Sequence, residues 1–401
     1  MPDIVPTGQL IRLYRIDRKK STVNIATHAG ITVRYLEMIE AGTKTPSLPV
    51  LKKLAKVLGV RVASLVGGAP SEDHEGAVNP RLAHIERALF TYRSISLSDR
   101  EGPPELSDLA SRLSAAWEAW FTSQNKYTDV LNVLPGLIVD AEHAVNAYGR
   151  SPEACRLASE VYQLSRPLLK ILGRADLGPL VCERVMRYAE ETDDPVLIGA
   201  ATWNLGQAML ADGMHQAALD LSMIGAEKLE KLLPDGTPQH FSVYGGLLQV
   251  AAIASTREGD PWRGRELLRD PAHKAALKVG EGHNFHHIVF GPGNVGIHRV
   301  SVELENGDIS DALRMADGVD IKGIASIGRQ TGHLYQVAQC YERRNNDAAV
   351  FVHLKMAETI CPQDFRHRQN VRNMVATLVK RAKPSYASEV REFAGRIGLL
   401  N

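Results

Sequence analysis

The stretch Thr32–Ala41, TVRYLEMIEA, carries side chains suited to reading base edges. On a helix, Val33, Arg34, Glu37 and Met38 point outward while Leu36 and Ile39 point inward. Arg34 can bond bidentately to guanine O6 and N7, and Val33 and Met38 suit thymine methyl groups. Glu37 can accept from cytosine N4 and repels phosphate; as an i, i+3 neighbour it equally suits an intrahelical pair with Arg34. Thr22, Thr32, Lys44, Thr45 and Ser47 are candidates for phosphate oxygens, which set position and carry no sequence information.

Other chemistry is weaker. Gly291-Pro292-Gly293-Asn294-Val295-Gly296 fits G-x-G-x-x-G, but a dinucleotide site needs a strand before it and a βαβ unit around it. Pro292 would also remove an N–H from the phosphate cradle. The sequence reads better as a loop ending at Asn294, which caps the helix carrying His298. His283, His286, His287 and His298 cluster there without cysteine support or a clear i, i+4 pair, so no metal is expected. There is no G-x-S-x-G elbow, P-loop, H-E-x-x-H or C-x-x-C, and neither catalysis nor a cofactor is expected. If a concave surface takes a ligand, Trp203, Asn204, Tyr244, Asn294, His298, Arg329 and His333 are candidates for lining it; core packing or repeat capping is the competing role for each.

The elements that must position Thr32–Ala41 are helical. Ser21 is an N-cap, Ile25 and Ala26 supply a buried face, and Gly30 takes the turn where φ > 0 is needed. Thr32 caps the next helix and Gly42 ends it. A first helix spans about Thr7 to Arg18, with Ile11 and Tyr14 inward. Leu51, Leu54, Ala55 and Leu58 recur at i, i+3, i+4, i+7, Gly59 stops that helix, and a short fifth holds Val62 and Leu65. Together these features lay out a helix-turn-helix.

In these marks residues 8–66 resemble the Cro and phage-repressor class, the XRE type. They are Ile11, the Ser21–Ala26 start, Ala29-Gly30-Ile31, Tyr35-Leu36, Ile39-Glu40, Gly42, Pro46-Ser47-Leu48, and Leu54-Ala55 with Leu58-Gly59-Val60. Two departures are Thr22, where members often carry Gln, and Lys20, where they often carry an apolar residue. The resemblance implies a five-helix bundle over 1–68 that places its third helix in the major groove of double-stranded DNA. It also implies a homodimer on two half-sites about 34 Å apart.

Gly67 to Pro80 is rich in turn formers, and 69–80 reads as a linker. From 81 to 401 the chain reads as helical throughout, so the fold class is all-α. A helix, a Gly- or Asn-containing turn and a helix with small residues recur: Leu205-Gly206 with Gly213 and Ala217-Ala218, Gly259-Asp260 with Leu267-Leu268, Leu304 to Ala316, and Val337 to Ala357. The turns lie roughly 40–50 residues apart against about 34 in an ideal tetratricopeptide repeat. Such units stack into a superhelix with a concave face, and SYASEVREFAGRIGLL would cap it. From His333-Leu334 through Tyr341 and Cys361-Pro362 to Phe393-Ala394-Gly395 the chain resembles XRE–tetratricopeptide regulators common in actinobacteria; at architecture level it is similar to peptide-sensing regulators of Gram-positive quorum systems. These resemblances imply a regulator whose C-terminal α-solenoid dimerises and receives a small-molecule or peptide effector. The alternative is a protein- or peptide-interaction module in which DNA contact is secondary.

Bulk properties agree with this division. The 401-residue chain has net charge +1 and 23% charged residues. Residues 1–68 hold eleven Lys and Arg against four Asp and Glu, a balance of +7, which leaves −6 for the remainder. A basic block on an acidic body suits a DNA-binding head and a separate partner domain. Four scattered cysteines read as buried thiols of a reducing compartment. Without a membrane-length apolar run or signal-peptide pattern, the sequence points to the cytoplasm.

Overall fold

The computed structural model describes residues 7–17, 20–58, 65, 80–90 and 102–400. The chain divides into two compact units, Met1–Ala83 and His84–Asn401. Every regular element among the described residues is helical, and none is long and apolar enough to cross a membrane. Most of the expected linker, residues 69–79, lies outside the described residues, while Pro80 opens a helix.

The first unit contains α1 (Thr7–Asp17), α2 (Thr22–Ala29), α3 (Val33–Glu40) and α4 (Leu48–Leu58). Ser21 Oγ accepts from the Asn24 N–H at 3.1 Å and Thr32 Oγ1 from the Tyr35 N–H at 3.2 Å, so both motif helices start at their expected caps. Gly30 has φ 64° and Gly42 φ 75°, values that explain glycine at both helix ends. Ile11, Ile25, Leu36, Ile39, Leu54 and Leu58 meet in one core. At roughly 1.5–3 kcal/mol per buried aliphatic side chain, this core outweighs the capping bonds in holding the motif. Leu65 is buried in it; the rest of the expected fifth helix, including Val62, and the stop at Gly59 lie outside the described residues.

The second unit is a chain of helix pairs. After α5 (Pro80–Leu89), whose first residues fall in the first unit, come α6 (Leu106–Thr122), α7 (Lys126–Ala147), α8 (Pro152–Ile171), α9 (Gly178–Glu190), α10 (Pro195–Ala211) and α11 (His215–Glu230). They are followed by α12 (Pro238–Arg257), α13 (Pro261–Arg269), α14 (Pro271–Val279), α15 (Pro292–Asn306), α16 (Ile309–Ala316), α17 (Ile327–Arg343) and α18 (Asp347–Ile360). A short α19 (Asp364–His367) precedes α20 (Gln369–Arg381) and α21 (Ala387–Arg396). Each helix packs mainly on its sequence neighbours, the arrangement of a TPR-like α-solenoid. Pair-opening helices start at Leu106, Pro152, Pro195, Pro238, Pro292, Ile327 and Gln369, spacings of 46, 43, 43, 54, 35 and 42 residues. The widest spacing arises because α12 is followed by two short helices and then a loop. Proline opens four of these helices, and α13 and α14 as well, at the position whose missing N–H is unneeded.

The array closes on itself. Helix α6 packs on α17. Gln124 Nε2 donates to the Thr359 carbonyl at 3.1 Å, the Tyr127 N–H to Gln363 Oε1 at 3.0 Å, and Gln363 Nε2 to Thr128 Oγ1 at 2.8 Å. Beneath this seam lies the fully buried carboxylate of Asp364. It accepts from the Tyr127 and Thr331 hydroxyls and faces Lys126 Nζ at 3.4 Å and Arg368 Nε at 3.2 Å. Burial pushes its pKa up, but Arg368, Lys126 and the two hydroxyls together outweigh burial and hold Asp364 below the usual carboxylate range.

Candidate functional site

Two devices position α3. Gly8 lets α1 approach so closely that a Cβ added there would strike the Ile39 carbonyl. Arg15 on α1 then forks onto Glu40 on α3, with Nε and Nη2 each 2.7 Å from a carboxylate oxygen. Both partners are largely buried, at 14% and 7% side-chain exposure, and the bond to Glu40 holds the Arg15 guanidinium above its ordinary range. A bidentate pair of this kind fixes orientation as well as distance.

On the face so presented, Arg34 and Glu37 are exposed and Met38 is half-buried. Among the described residues no ion pair joins Arg34 to Glu37, so the intrahelical pairing considered from sequence does not form here. Val33 is half-buried and packs against the head's core, which leaves less of it for a base methyl than the sequence pattern implies. Lys44, Thr45 and Ser47 are exposed on the loop after α3, and Thr32 is exposed at its cap. Thr22, at the first position of α2, is half-buried. The Thr43 hydroxyl donates to the Met38 carbonyl at 2.9 Å and ties that loop to the helix end. Asn24, Thr27 and His28 are also exposed on α2, a polar face that sequence reasoning passed over. Lys20 Nζ donates to the Val57 carbonyl at 3.2 Å, and Lys19 lies outside the described residues.

Within the second unit, a cavity of about 280 Å³ opens between the helices on either side of the seam. Of the seven residues expected to line a ligand surface, Trp203 and Arg329 face it. The other five are packed elsewhere. Asn204 is buried beside Cys182, and Tyr244 is buried near Glu230. His298 is buried with Nδ1 at 2.8 Å from the Asn294 carbonyl, and burial pushes its pKa down to about 3. His333 is likewise buried, its pKa lowered to about 4 by burial first and then by His353. Asn294 corrects the sequence reading: helix α15 starts at Pro292 with Gly291 as its cap, and Asn294 sits inside the first turn, donating from Nδ2 to the Val289 carbonyl.

The loop before α15 supplies a further wall. His287 stacks on Trp117 with centroids 3.7 Å apart and planes 4° apart, and both line the cavity with Val289. His286, His287 and Val289 have φ of 49°, 63° and 58°. For a β-branched residue such as Val289 that is a strained conformation, held only because the surroundings determine it. The four histidines of this region are spread among separate roles: His283 stacks on Phe285, His286 faces Gln239, and His298 is enclosed in α15.

Comparison with known proteins matches residues 11–65 to the family model described as helix-turn-helix. The immunity repressor protein of Bacillus phage phi105 is 38% identical over 60 residues, which cover 15% of this chain and 42% of that protein. The HTH-type transcriptional regulator SinR of Bacillus subtilis is 31% identical over 85 residues, covering 21% of this chain and 77% of SinR. Among solved structures, Bacillus thuringiensis PlcR in complex with the peptide PapR7 and DNA is similar at a TM-score of 0.28 and 13% identity, covering 78% of this chain and 92% of that one. The apo form of the competence regulator ComR from Streptococcus vestibularis gives 0.32 and 17%, covering 86% and 98%.

Proposed function

The chain belongs to the helix-turn-helix family of Cro/repressor-type transcriptional regulators, and from that premise we propose that it binds a palindromic operator in double-stranded DNA as a homodimer. Residues 1–68 form the DNA-binding head, 69–80 the linker, and 81–401 the helical-repeat domain that dimerises and receives an effector. In the head, Arg34, Glu37 and Met38 read base edges, with Val33 at their margin. Thr22, Thr32, Lys44, Thr45 and Ser47 hold phosphate oxygens. The observation that carries this reading is the exposed Arg34 on a capped helix whose inner face is locked to α1 by Arg15 and Glu40. A guanidinium placed so can satisfy guanine O6 and N7 together.

One head touches too little DNA for useful selectivity, and two heads on half-sites about 34 Å apart solve that problem. An effector acts by preferring one arrangement of the dimer over another. No catalytic step is part of this reading. The protein works in the cytoplasm, a setting that suits four buried free thiols.

Gel shifts on an operator selected from random sequence test the proposal. Arg34→Ala is expected to lose about ten- to hundredfold in preference for the selected site, in line with roughly 1–3 kcal/mol for a bidentate base contact. Its helicity and melting curve stay unchanged. Unaltered selectivity in Arg34→Ala, or a protein that stays monomeric on the operator in sedimentation, would count against the reading.

A further inference from the structure

The wall of the 280 Å³ cavity carries five cationic side chains, Lys126, Arg166, Lys170, Arg329 and Arg368, and no carboxylate. Asp364 behind the wall answers two of them, Lys126 and Arg368. Among the described residues Arg166 and Arg329 have no ion pair, and Arg166 Nε has no hydrogen-bond partner. Both residues are partly buried, and Arg166 Nε is itself enclosed. Both line the cavity.

The cations act on one another. Burial lowers the Arg329 pKa to about 10, helped by the charges of Arg166 and Arg368. Burial, then Arg166 and Arg368, also lowers Lys170. Crowding like charges in a partly desolvated space is unfavourable unless an opposite charge enters. Beside the cations stand flat apolar surfaces: Trp117 with its stacked His287, Trp120 against Tyr127, and Trp203.

We propose that this cavity binds a small organic anion, with its carboxylate or phosphate held by Arg166 and Arg329 and its apolar, planar part lying on the tryptophans. A guanidinium can fork onto two oxygens of either group, whereas a lysine supplies only a point charge. The volume sits at the small end for molecular ligands, too small to enclose an extended peptide. That this anion is the effector rests on the regulator reading above; that the cavity takes it does not, so binding is measured without DNA.

The full chain is melted at matched ionic strength with phenyl phosphate, benzoate, inorganic phosphate or phenol. Phenyl phosphate or benzoate is expected to raise the transition of the second unit by several degrees at saturation, inorganic phosphate by less, and phenol not at all. Which of the first two shifts it more separates a phosphate from a carboxylate ligand. The shift disappears in Arg166→Met and Arg329→Met, while the ligand-free variants melt at or above the wild type because charge repulsion is relieved. If a methionine variant fails to fold, Arg329→Lys is expected to keep less than half the shift. The proposal is overturned if neither aromatic anion shifts the transition, if phenol does as well as they do, or if the arginine variants respond like the wild type. A larger shift from a heptapeptide with a free carboxylate than from benzoate or phenyl phosphate overturns the assignment to a small molecule.

Discussion

Glu40 shows how much one buried charge can decide. Its substitution by alanine leaves the Arg15 guanidinium mostly buried without its fork of two 2.7 Å bonds. Breaking a buried pair from one side costs more than the pair contributes, about 3–5 kcal/mol in enclosed settings and less where water reaches in. Arg15 keeps 14% side-chain exposure, so Glu40→Ala is expected to destabilise the head by about 2–4 kcal/mol in urea unfolding followed by circular dichroism. A double variant that also replaces Arg15 with methionine should recover much of that loss. Arg34 and Glu37 were legible as outward-facing positions because a 3.6-residue period separates them from Leu36 and Ile39. Val33 was not, since a first-turn residue can lean back on the core whatever its phase. The five cations of the cavity are spread from 126 to 368, and no local pattern could bring them together; only the folded array does.

Elements were legible where sequence chemistry is local. Ser21 and Thr32 cap as hydroxyls should, and Gly30 and Gly42 mark the positive-φ turns. The start of α15 differs from the expected one for a clear reason: Pro292 at the first helical position is a stronger helix-start signal than Asn294. Close approaches between elements were hidden, because a glycine within a helix looks like a weakness until its neighbour is known. At Gly245 on α12, an added Cβ would land on the Phe290 ring. Phe290 is 2% exposed and belongs to the core of α10–α15, so it has little room to move. Gly245→Ala is therefore expected to lower stability by about 1–3 kcal/mol, opposite in sign to the usual helix-propensity gain, as a shift in the denaturant midpoint.

At the scale of the whole molecule, acid is the informative stress. All four tryptophans, at 117, 120, 203 and 262, lie in the second unit, so their fluorescence reports its unfolding alone. His298 and His333 titrate at about 3 and about 4 in the folded unit, below the ordinary value of about 6.5. The unfolded chain therefore binds more protons between those limits. The stabilisation is full above pH about 6.5 and is lost as pH falls towards the folded values. Between pH 7 and 5 each histidine is expected to remove about 2 kcal/mol. Urea midpoints at the two pH values measure it, and replacing both histidines with glutamine should flatten most of that slope.

The seam at Gln124, Tyr127 and Gln363 gives the array the character of a latched hoop. Contacts such as Gln124 to Thr359 span 235 positions, so the helices between them cannot peel away one after another while the latch holds. An open solenoid can fray from its last repeat and still keep its middle. Here the middle and the two margins must let go together, and a guest that tightens or loosens the latch is felt around the entire circumference.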